Sequence, residues 1–267
     1  MSYRVSTTSA LSLNLILFLL FGGIIWTLNI TGQSIFPGNN LFPFIVRSVL
    51  LIGLLVLTYY VNYVFSKKNA LSSSILNFEP RFIGHYLSGS IVAVLLIATI
   101  FTITYMVYPF EIIKNPHSNV NLATDIISYS LGNTLEELLF RGFLLIACVK
   151  LFGKIGGILL VSVLFGLFHL QGTGLTREGF SMVMTTGTMS LLFISIIYCT
   201  KSIWTAVLIH ITGNLLLHSF GFDAGNGGIF RIKFAVSNVS RPFIPLIFEI
   251  VVITFALLIF FQAKKRV

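Results

Sequence analysis

Long apolar runs separated by short polar stretches set the architecture of this chain. A membrane-crossing helix needs about 20 mainly apolar residues. Runs near that length lie at about 10–30, 44–66, 86–108, 123–149, 155–172, 179–199, 202–220 and 243–262 of the 267 residues. A polar loop at 67–84 parts the second run from the third. Only Phe152-Gly153-Lys154 separates the fourth from the fifth, and Thr200-Lys201-Ser202 makes the sixth and seventh antiparallel neighbours. The prolines, among them Pro37, Pro109 and Pro245, fall in loops or at run edges, where a missing N–H donor does little harm. The pattern predicts an all-α, polytopic membrane helical bundle of about eight transmembrane helices, a single domain over 1–267. The segment 221–240, with Asp223-Ala224-Gly225-Asn226-Gly227-Gly228, reads as an irregular loop that could gate access from outside.

Composition agrees with a membrane solvent. Charged residues make up 9% of the chain and hydrophobic ones 56%, whereas a soluble domain carries about 25% charged residues. The net charge of +9 does not point to nucleic acid, because the basic residues are scattered between apolar runs and form no stripe. Topology accounts for it better. With the N-terminus cytoplasmic, ten Lys and Arg fall on inner segments, including Lys67, Lys68, Lys150, Lys154 and Lys201, against six on outer ones. The positive-inside rule then places both termini in the cytoplasm, and the plasma membrane is the expected location. The start of the chain resembles a signal peptide but lacks a small-x-small cleavage site, so it reads as a retained first span. Cys148 and Cys199 are far apart and form neither a CxxC nor a metal spacing.

Few polar side chains remain inside the runs: Glu136, Glu137, Arg141, His169, His210, Asn214 and Glu249, with His218 near a run end. Charges near a bilayer centre cost about 2.5–3.5 kcal/mol each even on lenient scales. They persist by facing protein, pairing, or doing chemistry. Glu137 and Arg141 stand at i and i+4 and share a helix face, where they can pair. Glu136 is rotated about 100° away and is free for another partner. Phe165 precedes His169 by one turn, and His210 shares a face with Asn214, with Gly213 leaving room for close approach. Glu249 reads as protonated or bonded to a neighbouring helix.

Taken singly, these residues fit structural ion pairs and interhelical hydrogen bonds. Together they are the parts needed to add water to a carbonyl: a carboxylate base, two imidazoles and an amide for a developing oxyanion. Two histidines and a glutamate could equally bind zinc, with a fourth position left to water. At about 1.5 Å rise per residue, Glu136, His169 and His210 fall near the depth of the bilayer centre and can meet. No HExxH or GxSxG occurs.

The ordered set EExxxR (Glu136, Glu137, Arg141), FxxxH (Phe165, His169) and HxxxN (His210, Asn214) resembles the CPBP family of intramembrane proteases. That family takes in the type II CAAX prenyl proteases and the Abi-type bacteriocin-processing and immunity proteins. The resemblance covers about 120–220, the expected catalytic core, while the first three runs and the last carry no motif of it. It implies Glu136 as the base activating water with help from His169, His210 and Asn214 as the oxyanion hole, and Glu137, Arg141 and Phe165 as support. If a metal is bound, Glu136, His169 and His210 are its candidate ligands; zinc and a metal-free glutamate mechanism both remain open here. The implied partners are a peptide or protein substrate at the membrane and the lipid bilayer, with no nucleic acid. The substrate could be CAAX-type, or a bacteriocin or signal peptide for maturation or immunity. The competing readings are a proton-coupled membrane transporter, since intramembrane Glu, His and Arg also mark proton relays, and a non-catalytic bacteriocin-immunity membrane protein. No inverted repeat favours the transporter.

Overall fold

The structure is a computed structural model that describes residues 12, 15–24, parts of 45–57, 83–118, 121–172, 174–221, 228–236 and 243–265. The first two apolar runs lie only in part within these residues. The labelled elements are α1 (Ile83–Val107), β1 (Phe110–Lys114), α2 (Leu122–Glu137), α3 (Leu145–Phe168), α4 (Arg177–Thr200), α5 (Ile203–Ser219), β2 (Phe230–Phe234) and α6 (Phe243–Lys265). A π-helical turn, Leu138–Leu144, joins α2 to α3 without a break, and a 3-10 turn, His169–Gly172, follows α3.

Among the described residues four helical runs are long and apolar enough to cross a membrane: Tyr86–Val107, Leu122–Phe168, Arg177–Thr200 and Phe243–Gln262. Their outer faces would not survive in water. Ile155, Leu159 and Val163 recur one turn apart on α3 and are each more than half exposed, as are Ile250, Leu258 and Phe261 on α6. A lipid solvent removes that cost, and the chain is an integral membrane helical bundle. The run Leu122–Phe168 holds two of the expected spans. They are separated at Gly153, whose φ of 74° is open to glycine and costly for other residues. The chain reverses there so tightly that a Cβ on Gly157 would meet the backbone of Cys148 and Val149. The short α5 is apolar but falls below spanning length, so eight spans is more than the described helices establish.

Small residues bring the helices into backbone contact, as lipid-embedded packing requires. A side chain at Gly89 on α1 would strike the Thr205 carbonyl on α5, and one at Gly166 on α3 would strike the Val183 carbonyl on α4. Hydroxyl pairs add polar contacts across the same seams: Thr212 donates to Ser90 at 2.9 Å, and Ser162 to Ser190 at 3.2 Å.

The expected irregular loop 221–240 is in part a strand. β2 pairs antiparallel with β1 in the register Phe110↔Phe234, Ile112↔Ile232 and Lys114↔Phe230. The alternation Phe230-Arg231-Ile232-Lys233-Phe234 has the period of a strand. Aromatic contacts hold the ribbon to the helix ends, with Phe101 5.1 Å from Phe220 and Phe220 stacked on Phe230 at 5.6 Å.

The close seam between α1 and α5 makes a prediction. Gly89→Leu should lower stability by about 1–3 kcal/mol through overpacking, read as a lower unfolding temperature in detergent. Gly84→Ala, where a Cβ meets nothing within 4 Å, should shift stability by less than about 0.5 kcal/mol.

Candidate active site

The site forms where α2 passes into the π-helical turn. Wide π turns of this kind occur mostly at functional places in helices, because they rotate the following side chains out of α-helical register. Here the turn carries Arg141, whose Nη1 stands 3.2 Å from Glu137 Oε1, both side chains fully buried. The guanidinium lies 4.1 Å from the centre of the Phe165 ring and 5.0 Å from that of Phe193. A desolvated contact of a cation with an aromatic face contributes about 2 kcal/mol. A carboxylate on one side and two ring faces on the others thus keep this charge inside the bundle.

Glu137 has a second partner. His210 Nδ1 lies 2.9 Å from the same Oε1. Because that carboxylate is already paired with Arg141, Nδ1–H donates to it, and Nε2 is left toward the interior. Phe193, on α4, lies against the His210 ring at 4.8 Å. His169 is fixed in the same manner. It ends α3 as its C-cap, and its Nδ1 donates to the Phe165 carbonyl at 2.8 Å, with the two rings 4.7 Å apart. The FxxxH spacing therefore serves both ends of Phe165: the backbone carbonyl orients the imidazole, and the ring faces Arg141.

Glu136 stands apart from the ion pair. Its Oε2 lies 3.7 Å from His169 Nε2 and 3.9 Å from His210 Nε2, and it has no hydrogen-bond partner. Three helices thus bring Glu136, His169 and His210 to one point, with Glu137, Arg141 and Phe165 packed behind them. The third sequence motif meets them through an amide. Asn214 Nδ2 donates to Asn133 Oδ1 at 3.2 Å. Glu249, half-buried on α6, joins none of these contacts. His169 lies at the end of its helix and not within it, so the site sits toward the α3 C-terminus.

Three contributors escaped the sequence inventory. Asn133 precedes Glu137 by one turn and was recognisable as a polar residue within an apolar run. Asp125 was too; its Oδ2 lies 3.6 Å from His218 Nε2. Phe193 carried no signal, being one of 26 phenylalanines.

The zinc alternative fits these donors poorly. Ligand atoms of a tetrahedral zinc site stand about 3.4 Å apart, given bond lengths of about 2.0–2.1 Å. The separations here are wider, and among the described residues no group of three His, Cys, Asp or Glu side chains is arranged to hold a metal ion. Separations of 3.7 and 3.9 Å are also too long for direct hydrogen bonds.

A family model described as type II CAAX prenyl endopeptidase Rce1-like matches residues 116–216, the stretch that holds all three motifs. Over that segment the chain is similar to this family. A search of curated proteins returned no match.

The two adjacent glutamates of the Rce1-like segment should fail differently. Glu137→Gln leaves Arg141 buried without its counter-charge and should cost about 3–5 kcal/mol. Glu136→Gln, outside the pair, should leave the unfolding temperature close to that of the wild type. Thermal unfolding of both variants in detergent checks this contrast.

Proposed function

We propose that this chain is an intramembrane endopeptidase in which Glu136 activates water against a peptide bond of a membrane-associated protein or peptide. The observation that carries the reading is the position of Glu136 Oε2, partnerless and facing the Nε2 atoms of two histidines on separate helices. In neutral rings both Nε2 atoms are acceptors, because each Nδ1 carries its hydrogen to a fixed oxygen. Three acceptors facing one another call for a molecule with hydrogens between them. A water there can give one proton to Glu136 while His169 orients it, which is general-base catalysis.

The attacked carbonyl gains negative charge as the water oxygen bonds to its carbon. By the family resemblance His210 belongs to the group around that oxygen, its ring held in place by Nδ1–H on Glu137 Oε1. Asn214 supplies an amide N–H. When the intermediate collapses, the proton held by Glu136 passes to the leaving amine. Glu137, Arg141 and Phe165 touch no reacting atom and hold the frame. No step passes through a metal.

The catalytic core of this reading is 120–220 within a single transmembrane domain of about eight helices, with both termini cytoplasmic in the plasma membrane. CAAX-type processing is the first substrate class to test, given the Rce1-like match; maturation of a bacteriocin or signal peptide, or immunity, is the second.

The deciding experiment uses protein in lipid vesicles with a fluorogenic CAAX peptide, prenylated and unprenylated, and an unprenylated leader peptide. Glu136→Ala should lower kcat/KM by about a thousandfold or more while the protein still inserts and unfolds at its usual temperature. Normal processing by that variant would sink the assignment. Treatment with a zinc chelator should leave turnover unchanged, and a loss restored by added zinc would return the metal alternative.

A further inference from the structure

Asn133 lies on the same stretch of α2 as the glutamates, three residues before Glu136 and four before Glu137. Its Oδ1 accepts from Asn214 Nδ2 at 3.2 Å. A carboxamide nitrogen carries two hydrogens. With one of them committed to Asn133, Asn214 keeps its amide in a fixed orientation and retains a single N–H for another acceptor.

The other end of Asn133 is unused. The residue is 4% exposed, and its Nδ2 has no hydrogen-bond partner. A buried donor left without an acceptor is costly, and a purely structural link to Asn214 does not explain that cost. Nearby, Glu136 Oε2 is an acceptor without a donor. A partnerless donor and a partnerless acceptor three residues apart on one helix match the two oxygens of the reaction: the carbonyl oxygen that gains charge and the water oxygen that loses a proton.

We propose that Asn133 completes the oxyanion site, its Oδ1 orienting Asn214 and its Nδ2 donating to the oxygen of the carbonyl under attack. This rests on the endopeptidase reading above. The electrons balance in the usual way. The water oxygen bonds to the carbonyl carbon, its proton goes to Glu136, and the π pair moves onto the carbonyl oxygen facing Asn133, Asn214 and His210. On collapse that pair re-forms the double bond, the C–N bond breaks, and the proton leaves with the amine.

Two substitutions separate the two tasks, assayed with the CAAX peptide in vesicles. Asn133→Asp keeps an oxygen toward Asn214 and removes both N–H donors; Asn133→Leu removes donor and acceptor together. Loss of one oxyanion donor lowers kcat by about 100-fold, so Asn133→Asp should fall by that factor with KM within about threefold of the wild type, and Asn133→Leu at least as far. The plateau of the pH–rate profile should drop at every pH. If the added charge only displaced the titration of Glu136, the limbs would move and the plateau would recover, which overturns the donor role. Asn133→Asp turning over within about threefold of the wild type overturns it also. Should the leucine variant fail to fold, the near-isosteric aspartate variant decides alone. A wild-type protein that cleaves no peptide sinks the endopeptidase reading and this inference with it, whereas an active wild type and an unimpaired aspartate variant sink only this inference.

Discussion

Glu137 Oε1 accepts a hydrogen bond from His210 Nδ1 at 2.9 Å and forms an ion pair with Arg141 Nη1 at 3.2 Å. That one oxygen joins α2, the π-helical turn and α5, and the arrangement of the site depends on it. Without it Arg141 would be a full charge in a place that excludes water, and His210 would have no fixed tautomer. The aromatic surround completes the balance: Phe165 and Phe193 each touch the guanidinium face, and each also lies against an imidazole, Phe165 against His169 and Phe193 against His210. Electrostatics and packing therefore reinforce each other at a single point.

The consequence is a division of work between neighbouring carboxylates. A helix rotates successive side chains by about 100°, so only one of two adjacent glutamates can face the arginine. Glu137 takes that position, its Oε1 held between Arg141 and His210. Glu136 points to the two Nε2 atoms, at separations too long for direct hydrogen bonds. The proposed chemistry follows from what Glu136 lacks, not from what it has. Membrane packing then fixes the distances. Backbone-to-backbone approach at Gly89 and Gly166 sets α1 against α5 and α3 against α4 with no flexible side chain between them.

Much of this was legible in the sequence for physical reasons. Charges in apolar runs are conspicuous because lipid penalises them, so Glu136, Glu137, Arg141, His169 and His210 stood out, and helical spacing paired Glu137 with Arg141 correctly. The break between two spans at Phe152-Gly153-Lys154 was also visible, and the structure places a positive φ at Gly153. Other features carried no local signal. The π-helical turn has no composition of its own. β2 hides in a segment whose glycines read as loop, and it pairs with a strand more than 100 residues away in sequence. Phe193 acts through its position among many identical residues. Asn133 is uncharged and so less conspicuous in an apolar run, although a buried amide in a membrane span carries a similar demand for partners.

The division between the glutamates is tested most directly by double-mutant cycles on stability. Arg141→Met is combined with Glu137→Gln, and separately with Glu136→Gln, and each set is unfolded thermally in detergent. Coupling through Glu137 predicts that the Arg141/Glu137 double variant is no less stable than the worse of its single variants, while Arg141→Met and Glu136→Gln add independently. An Arg141–Glu136 coupling as strong as that between Arg141 and Glu137 would contradict the account, because Glu136 would then belong to the frame and not be free for chemistry.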